Sequence, residues 1–431
     1  MKKISRQRRI GFVSTRLSGT DGVTLETYKW VHILGNLGHE CFYFAGESEF
    51  PAERSYVIAE AHFNHPEIQD LNVDLFDDYK RSSETSGRIQ ALRFHLKNHL
   101  YKFVEKFDIE LLIIENALSI PMNIPLGLAI TEFGAETNLS IIAHHHDFGW
   151  ERSRFKVSAA SDYQLGAFPP ILPSFFHVVI NSYASRQLAL RTGASSVLIP
   201  NVMDFDNPPP EPDGYAENLR SDLGIDPEEY LLLQPTRIVP RKRIELAIEL
   251  ARRLQLKCAL LISHSSGDEG SDYEIFLREQ AELSRVKVIF AAERFNHRRG
   301  RTPDGKKIYS LADAYQQADL VTYPSTVEGF GNAFLETLYY KRPIVMSTYE
   351  IYNTDIKPKG FRVISFGDFI TRETLEKSHQ LLSDPVMVNE IVEHNYKLGR
   401  QYYSYHVLQR RLQALLDEAL GFTEENQYYR D

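Results

Sequence analysis

LVTYPSTVEGFGNAFLETLYYKRPIVMSTY, residues 320–349, decides the fold. Its first residues form an apolar run of strand length, Gly329 and Gly331 interrupt it, apolar residues recur at helical spacing from about Asn332, and PIVMSTY is a second strand. A strand, a tight turn, a helix and another apolar strand make a crossover unit whose strands run parallel. Strands with no polar face are covered on both sides.

The same alternation extends towards the amino terminus. RIGFVST (9–15) leads into a helical pattern from Gly22, with Val23, Thr27, Trp30, Val31 and Leu34 on one face and a stop at Leu37 and Gly38. ECFYFAG, a helix near 84–106, IELLIIENA, a helix near 124–137, SIIAHHHD, HVVINS, a further helix and SVLIPNV follow. At 204–217 the text changes to DFDNPPPEPDGYAE, whose prolines suit neither a helix nor an inner strand, so it reads as a linker. Beyond it come YLLLQPTR, a helix with Ile244, Ala247, Ile248 and Ala251 on one face, LKCALLISH, VKVIFAAE and a helix near 309–318. The expected architecture is α/β: a Rossmann-like domain at 1–203, the linker, a second at 218–400, and a helix at 401–431 packing back on the first domain. Ligands of open parallel sheets lie beyond the strands' carboxyl ends, so the two domains are expected to face each other across a cleft.

Composition narrows the function. At ~150 residues per domain, 431 residues allow two to three domains, and 43% hydrophobic with 25% charged residues is a folded composition. Forty-nine Lys and Arg against 58 Asp and Glu leave a net charge of −9, so no global basic field favours nucleic acid. Cys41 and Cys258 lie far apart in apolar runs and read as buried thiols of a reducing compartment, which points to the cytoplasm. The basic amino terminus passes straight into a strand without a signal-peptide core, and the most apolar window, 111–130, holds Glu115, Asn116, Pro121, Asn123 and Pro125, so no transmembrane span is expected.

Four stretches could carry chemistry. Glu328 stands at a strand-to-helix turn and Glu336 in the second turn of the next helix, around the glycine turn Gly329 to Asn332. Free backbone N–H groups at such a helix start suit phosphate, although acids there can simply complement the helix dipole. Phe334 occupies the third glycine position of a dinucleotide fingerprint, which argues against NAD. In QPTRIVPRKRIE, Arg237 and Lys242 offer a forked and a point-like cation for a diphosphate at a strand end, or form a solvated basic loop. Gly19 and Gly22 follow the first strand, where backbone can approach a ligand and where Ser18 or Asp21 can equally cap the helix.

The fourth is HHHDFGWERSRFK. Alternation turns His144 and His146 to one side and His145 to the other, so three adjacent histidines cannot converge on one ion and no metal is assigned. A strand-end histidine that hydrogen-bonds a ligand and a satisfied structural histidine both remain open. Trp150, Arg152, Arg154 and Lys156 then form a basic, aromatic patch, which could also be loop surface balancing Glu151 and Asp162. No GxSxG, Walker or HExxH motif occurs.

In their order these features resemble the retaining, nucleotide-sugar-dependent glycosyltransferases of family four, whose GT-B fold is two facing Rossmann-like domains. The resemblance spans nearly the whole chain and rests on Glu328-x7-Glu336, Arg237-x4-Lys242, the Gly22 loop, His146-Asp147 and IPNVMDF at 199–205. Arg243 departs from it, standing where the family often has glycine, and a local change in helix entry is expected.

The resemblance implies that Arg237 and Lys242 neutralise the donor diphosphate, with Gly22 and the N–H groups of Phe330, Gly331 and Asn332 completing the cradle. Glu328 would bind hydroxyls of the transferred sugar, Glu336 the ribose, and His146 the sugar from the first, acceptor-side domain. It further implies a hexose (mannose or glucose) moving with retention from a GDP- or UDP-hexose, with no metal or other cofactor. The texture of HHHDF-WER and QPTRIVPRK is similar to transferases that build glycosylglycerate-type compatible solutes. An anionic small acceptor would meet Arg152, Arg154 and Lys156. A sugar-nucleotide epimerase or glycosyl phosphorylase shares the fold, and a non-catalytic nucleotide-sugar sensor is the alternative of another class. Oligomeric state is not legible.

Overall fold

The structure, a computed structural model, describes residues 6–19, 21–267 and 270–428. The basic start at 1–5, the tail residues 429–431 and the side chains of 422–428 lie outside the described residues. The chain forms two compact units, Met1–Asn201 with Tyr405–Asp431, and Val202–Ser404. The proline-rich stretch at 204–217 belongs to the second unit. The chain re-enters the first at Tyr405, between the helices Pro385–Tyr403 and Tyr405–Tyr428.

The first unit holds a parallel sheet of β1 (Arg9–Val13), β2 (Glu40–Ala45), β3 (Ser55–Val57), β4 (Leu111–Glu115), β5 (Ile141–His145), β6 (Phe175–Val179) and β7 (Val197–Leu198). Its order is β3-β2-β1-β4-β5-β6-β7. Every residue of β4 is buried, because helices cover both faces of an apolar strand. Phe103, Ile130 and Phe133, from the helices Ser83–Phe107 and Ile124–Thr137, pack with Leu112 of this strand in one core. The returning carboxyl-terminal helix lies against the helix Gly22–Asn36, and Ser140 Oγ donates to the Ala419 carbonyl at 2.6 Å.

The second unit repeats the plan with β8 (Tyr230–Gln234), β9 (Cys258–Ile262) and β10 (Lys287–Phe290), then a small antiparallel ribbon of β11 (Gly300–Arg301) and β12 (Lys307–Ile308), then β13 (Leu320–Tyr323), β14 (Ile344–Ser347) and β15 (Ile364–Phe366). Its main sheet is also parallel, in the order β10-β9-β8-β13-β14-β15. The ribbon was not foreseen, because strands of two residues carry no readable periodicity. Ile244, Ala247, Ile248 and Ala251 are all buried on the helix Ile244–Leu254, as their spacing requires.

Both sheets change direction once, between β1 and β4 and between β8 and β13. At such switch points the loops leaving adjacent strands run apart and open a crevice at their carboxyl ends.

Candidate functional site

In the second unit the loops after β8 and β13 meet through charge. Lys242 ends the short turn Pro240–Lys242 and donates its ammonium to Glu328 Oε1, while Arg241 lies 3.7 Å from Glu328 Oε2. Thr326 N donates to the Arg241 carbonyl at 3.0 Å, tying the loops together along the backbone. Burial would raise the Glu328 carboxyl, but Lys242 reverses this and holds it below its usual range. Burial also lowers the Lys242 ammonium, against the opposing pull of Glu328.

Arg237 is exposed on the same loop. His264, just past β9, has its imidazole pushed down to about 4, first by burial and then by Lys242 and Arg237, so it is neutral beside the cations. The sequence reading missed His264, although its place at the end of an apolar strand was the available signal.

Gly331 opens the helix Asn332–Tyr339 with φ at 113°. A Cβ there would stand 2.5 Å from the Tyr349 hydroxyl, so only glycine fits. Tyr349 donates to the Phe330 carbonyl at 2.9 Å and fixes the turn. Glu336, half-buried in this helix, accepts from the Tyr315 hydroxyl at 3.0 Å. Arg243 adopts a left-handed φ of 47°, a conformation glycine would reach without strain, and its guanidinium donates to the Asp368 carbonyl at 2.6 Å. The departure from glycine is thus absorbed locally.

In the first unit, Asp21 caps the helix that begins at Gly22, accepting from Val23 N and Thr24 N at 3.1 Å. Ser18 instead donates to Glu47. The histidines divide as alternation requires. His145 joins Ser119 (2.5 Å) and His177 (3.0 Å) in a buried chain, while His144 Nδ1 and His146 Nε2 both meet Glu115 Oε2, at 2.9 and 3.0 Å. Among the described residues Glu115, His144 and His146 bring possible metal-ligand atoms within 4.8 Å of one another. Glu115 escaped the sequence reading as a site residue, though a charge ending the otherwise apolar LLIIE was visible.

Arg152, still partly exposed, pairs with Asp147, with Nε at 2.7 Å and a second nitrogen at 2.5 Å, so its acid partner is its near neighbour Asp147. Asp162 is held by Arg81 in two bonds of 2.6 Å. Arg154, over the Phe155 ring at 4.4 Å, and Lys156 are exposed.

Comparison with known proteins fixes the class. The family described as glycosyl transferases group 1 matches residues 216–397. Mannosylglucosylglycerate synthase of Thermotoga maritima is 31% identical over 93% of this chain and 98% of its own. The chain belongs to the family-four GT-B glycosyltransferases.

This hexosyltransferase shares its fold with a Rickettsia africae glycosyltransferase (TM-score 0.69, 12% identity, covering 96% of this chain and 99% of that one). An Anabaena protein solved in complex with UDP is similar too (TM-score 0.63, 12% identity, covering 96% and 100%). No helix among the described residues is long and apolar enough to cross a membrane. Cations of this kind can stabilise a departing diphosphate, and a carboxylate beside them can accept hydroxyls.

Proposed function

We propose that this glycosyltransferase moves a mannosyl group, with retention, from GDP-mannose to a small anionic acceptor of the glucosylglycerate type. The observation that carries the reading is 31% identity, over nearly the full length of both chains, to a mannosylglucosylglycerate synthase. Arg237 and Lys242 neutralise the diphosphate, assisted by the backbone of Gly22 and by the N–H groups of Phe330, Gly331 and Asn332. Glu328 receives hydroxyls of the hexose, Glu336 those of the ribose, and His146 meets the hexose. Arg154 and Lys156 attract the acceptor's carboxylate, and Arg152 joins them by exchanging Asp147. Retention follows from attack on the face the phosphate leaves, with that phosphate taking the acceptor's proton. Two free cysteines, Cys41 and Cys258, agree with a reducing cytoplasm.

The test is a panel of GDP-mannose, UDP-glucose and ADP-glucose against glucosylglycerate and glucosylglycerol, with products read by anomeric NMR. An α-mannoside formed from GDP-mannose and the anionic acceptor is the expected product. Turnover by water or phosphate alone would support an epimerase or phosphorylase instead. In thermal shift, the true donor at 100 times its Kd should stabilise the protein by about 2.7 kcal/mol.

A further inference from the structure

We propose that Glu115 is the positioning residue of His146, holding the ring's Nε2 proton so that the Nδ1 edge is presented to the substrate. This rests on the reading above in which His146 meets the transferred hexose. The register pairs Glu115 of β4 with His144 of β5, which sets the carboxylate beside the histidine strand. Glu115 is completely buried, yet one oxygen, Oε2, accepts from both His144 and His146.

The other oxygen, Oε1, is buried without a hydrogen-bond partner, as is His144 Nε2. A buried carboxylate with an idle oxygen is a poor device for stability, since apolar residues of similar volume pack there at lower free energy. Its value lies in what it fixes. Trp30 stacks on His144 with centroids 4.2 Å apart and planes at 24°, so the second ring bonded to Oε2 is itself locked. The His146 backbone N donates to Oδ1 of Asn116, the residue after β4, at 3.1 Å, and Asn116 has a left-handed φ of 60°. Both the backbone and the Nε2 side of His146 are therefore held from the carboxyl end of the switch-point strand β4 and the residue after it. Among the described residues, the hydrogen bonds of His146 run through its backbone N and its Nε2, which leaves the Nδ1 edge for the substrate.

A plainer assignment of the carboxylate is less favourable. Glu26, the nearby buried carboxylate, is already paired with Lys29 at 2.5 Å and does not bond the histidines.

The experiment is a double-mutant cycle of Glu115→Met and His146→Ala, with Glu115→Gln as the conservative variant and histidine-ring 1H–15N spectra of the unaltered enzyme. Losing the acceptor should lower kcat roughly tenfold or more with donor KM little changed, glutamine should restore most of it, and Glu115→Met should cost almost nothing further once His146 is alanine. The wild-type spectrum should show a hydrogen-bonded proton on His146 Nε2. A spectrum with the proton on Nδ1 alone and Nε2 bare overturns the proposal without any variant having to fold. If Glu115→Met costs the same factor with and without His146, only the positioning role falls. If His146→Ala turns over normally, the reading beneath it falls as well.

Discussion

Lys242 and Glu328, 86 positions apart, form a buried ion pair at the carboxyl ends of β8 and β13. The family resemblance implies the diphosphate for one and the sugar for the other, whereas in the structure each is the other's partner. On the proposed function, a bound donor shares or replaces this bond.

Removing either partner leaves the other charge uncompensated. Lys242→Ala is expected to cost about 3 kcal/mol of stability and at least ~10²-fold in kcat/KM, while Lys242→Met with Glu328→Gln recovers stability without recovering activity. Urea titration and steady-state kinetics on the same preparations measure both. Stability that falls additively in the double variant would show that the pair is not coupled.

Glu336 and Glu328 should separate kinetically. Glu336→Gln raises the donor KM by removing ribose contacts, and Tyr315→Phe does so more weakly, because its hydroxyl only orients the carboxylate. Glu328→Gln lowers kcat. Identical behaviour of the two glutamine variants removes the division of roles.

Acceptor charge is the next expectation. Arg154→Ala and Lys156→Ala should raise the KM for glucosylglycerate, leaving donor binding unchanged. Arg152→Ala should in addition lower the melting temperature, because it strips Asp147 of its guanidinium. Equal kcat/KM for glucosylglycerate and glucosylglycerol would contradict an anionic acceptor.

Chelation should leave turnover intact, because the proposed function gives Arg237 and Lys242 the positive charge that the leaving group needs. Loss in EDTA with recovery on adding one equivalent of a divalent ion would sink this expectation.

Acid should destabilise the first unit through His177. Burial lowers its imidazole from 6.5 to about 4, so the folded state holds it neutral while the unfolded chain protonates more readily. Its contribution is complete above pH 6.5 and is lost as pH falls towards 4, at about 1.4 kcal/mol per pH unit within that window. Urea unfolding at pH 7, 6 and 5 checks the slope, and a flat profile counts against it.

The parallel architecture was legible because it is written in short-range periodicity. Wholly apolar runs such as LLIIE and CALLI can be buried only between covering layers, the spacing of Ile244, Ala247, Ile248 and Ala251 fits only a helix, and the turn at Gly331 needs a backbone that side chains resist. Those constraints act between residues a few positions apart, so the order of letters is enough. What Glu115, Lys242, Arg152 and His264 touch was decided by the fold. The partner of Glu115 is set by the register of β4 against β5, and that of Lys242 by β8 and β13 being neighbours although four strands intervene in the chain. Even Arg152, whose partner is five residues away, chose among several nearby acids by the path of its loop. Charge pairing depends on distance in space and on exclusion of water, and neither exists until the strands have been laid side by side.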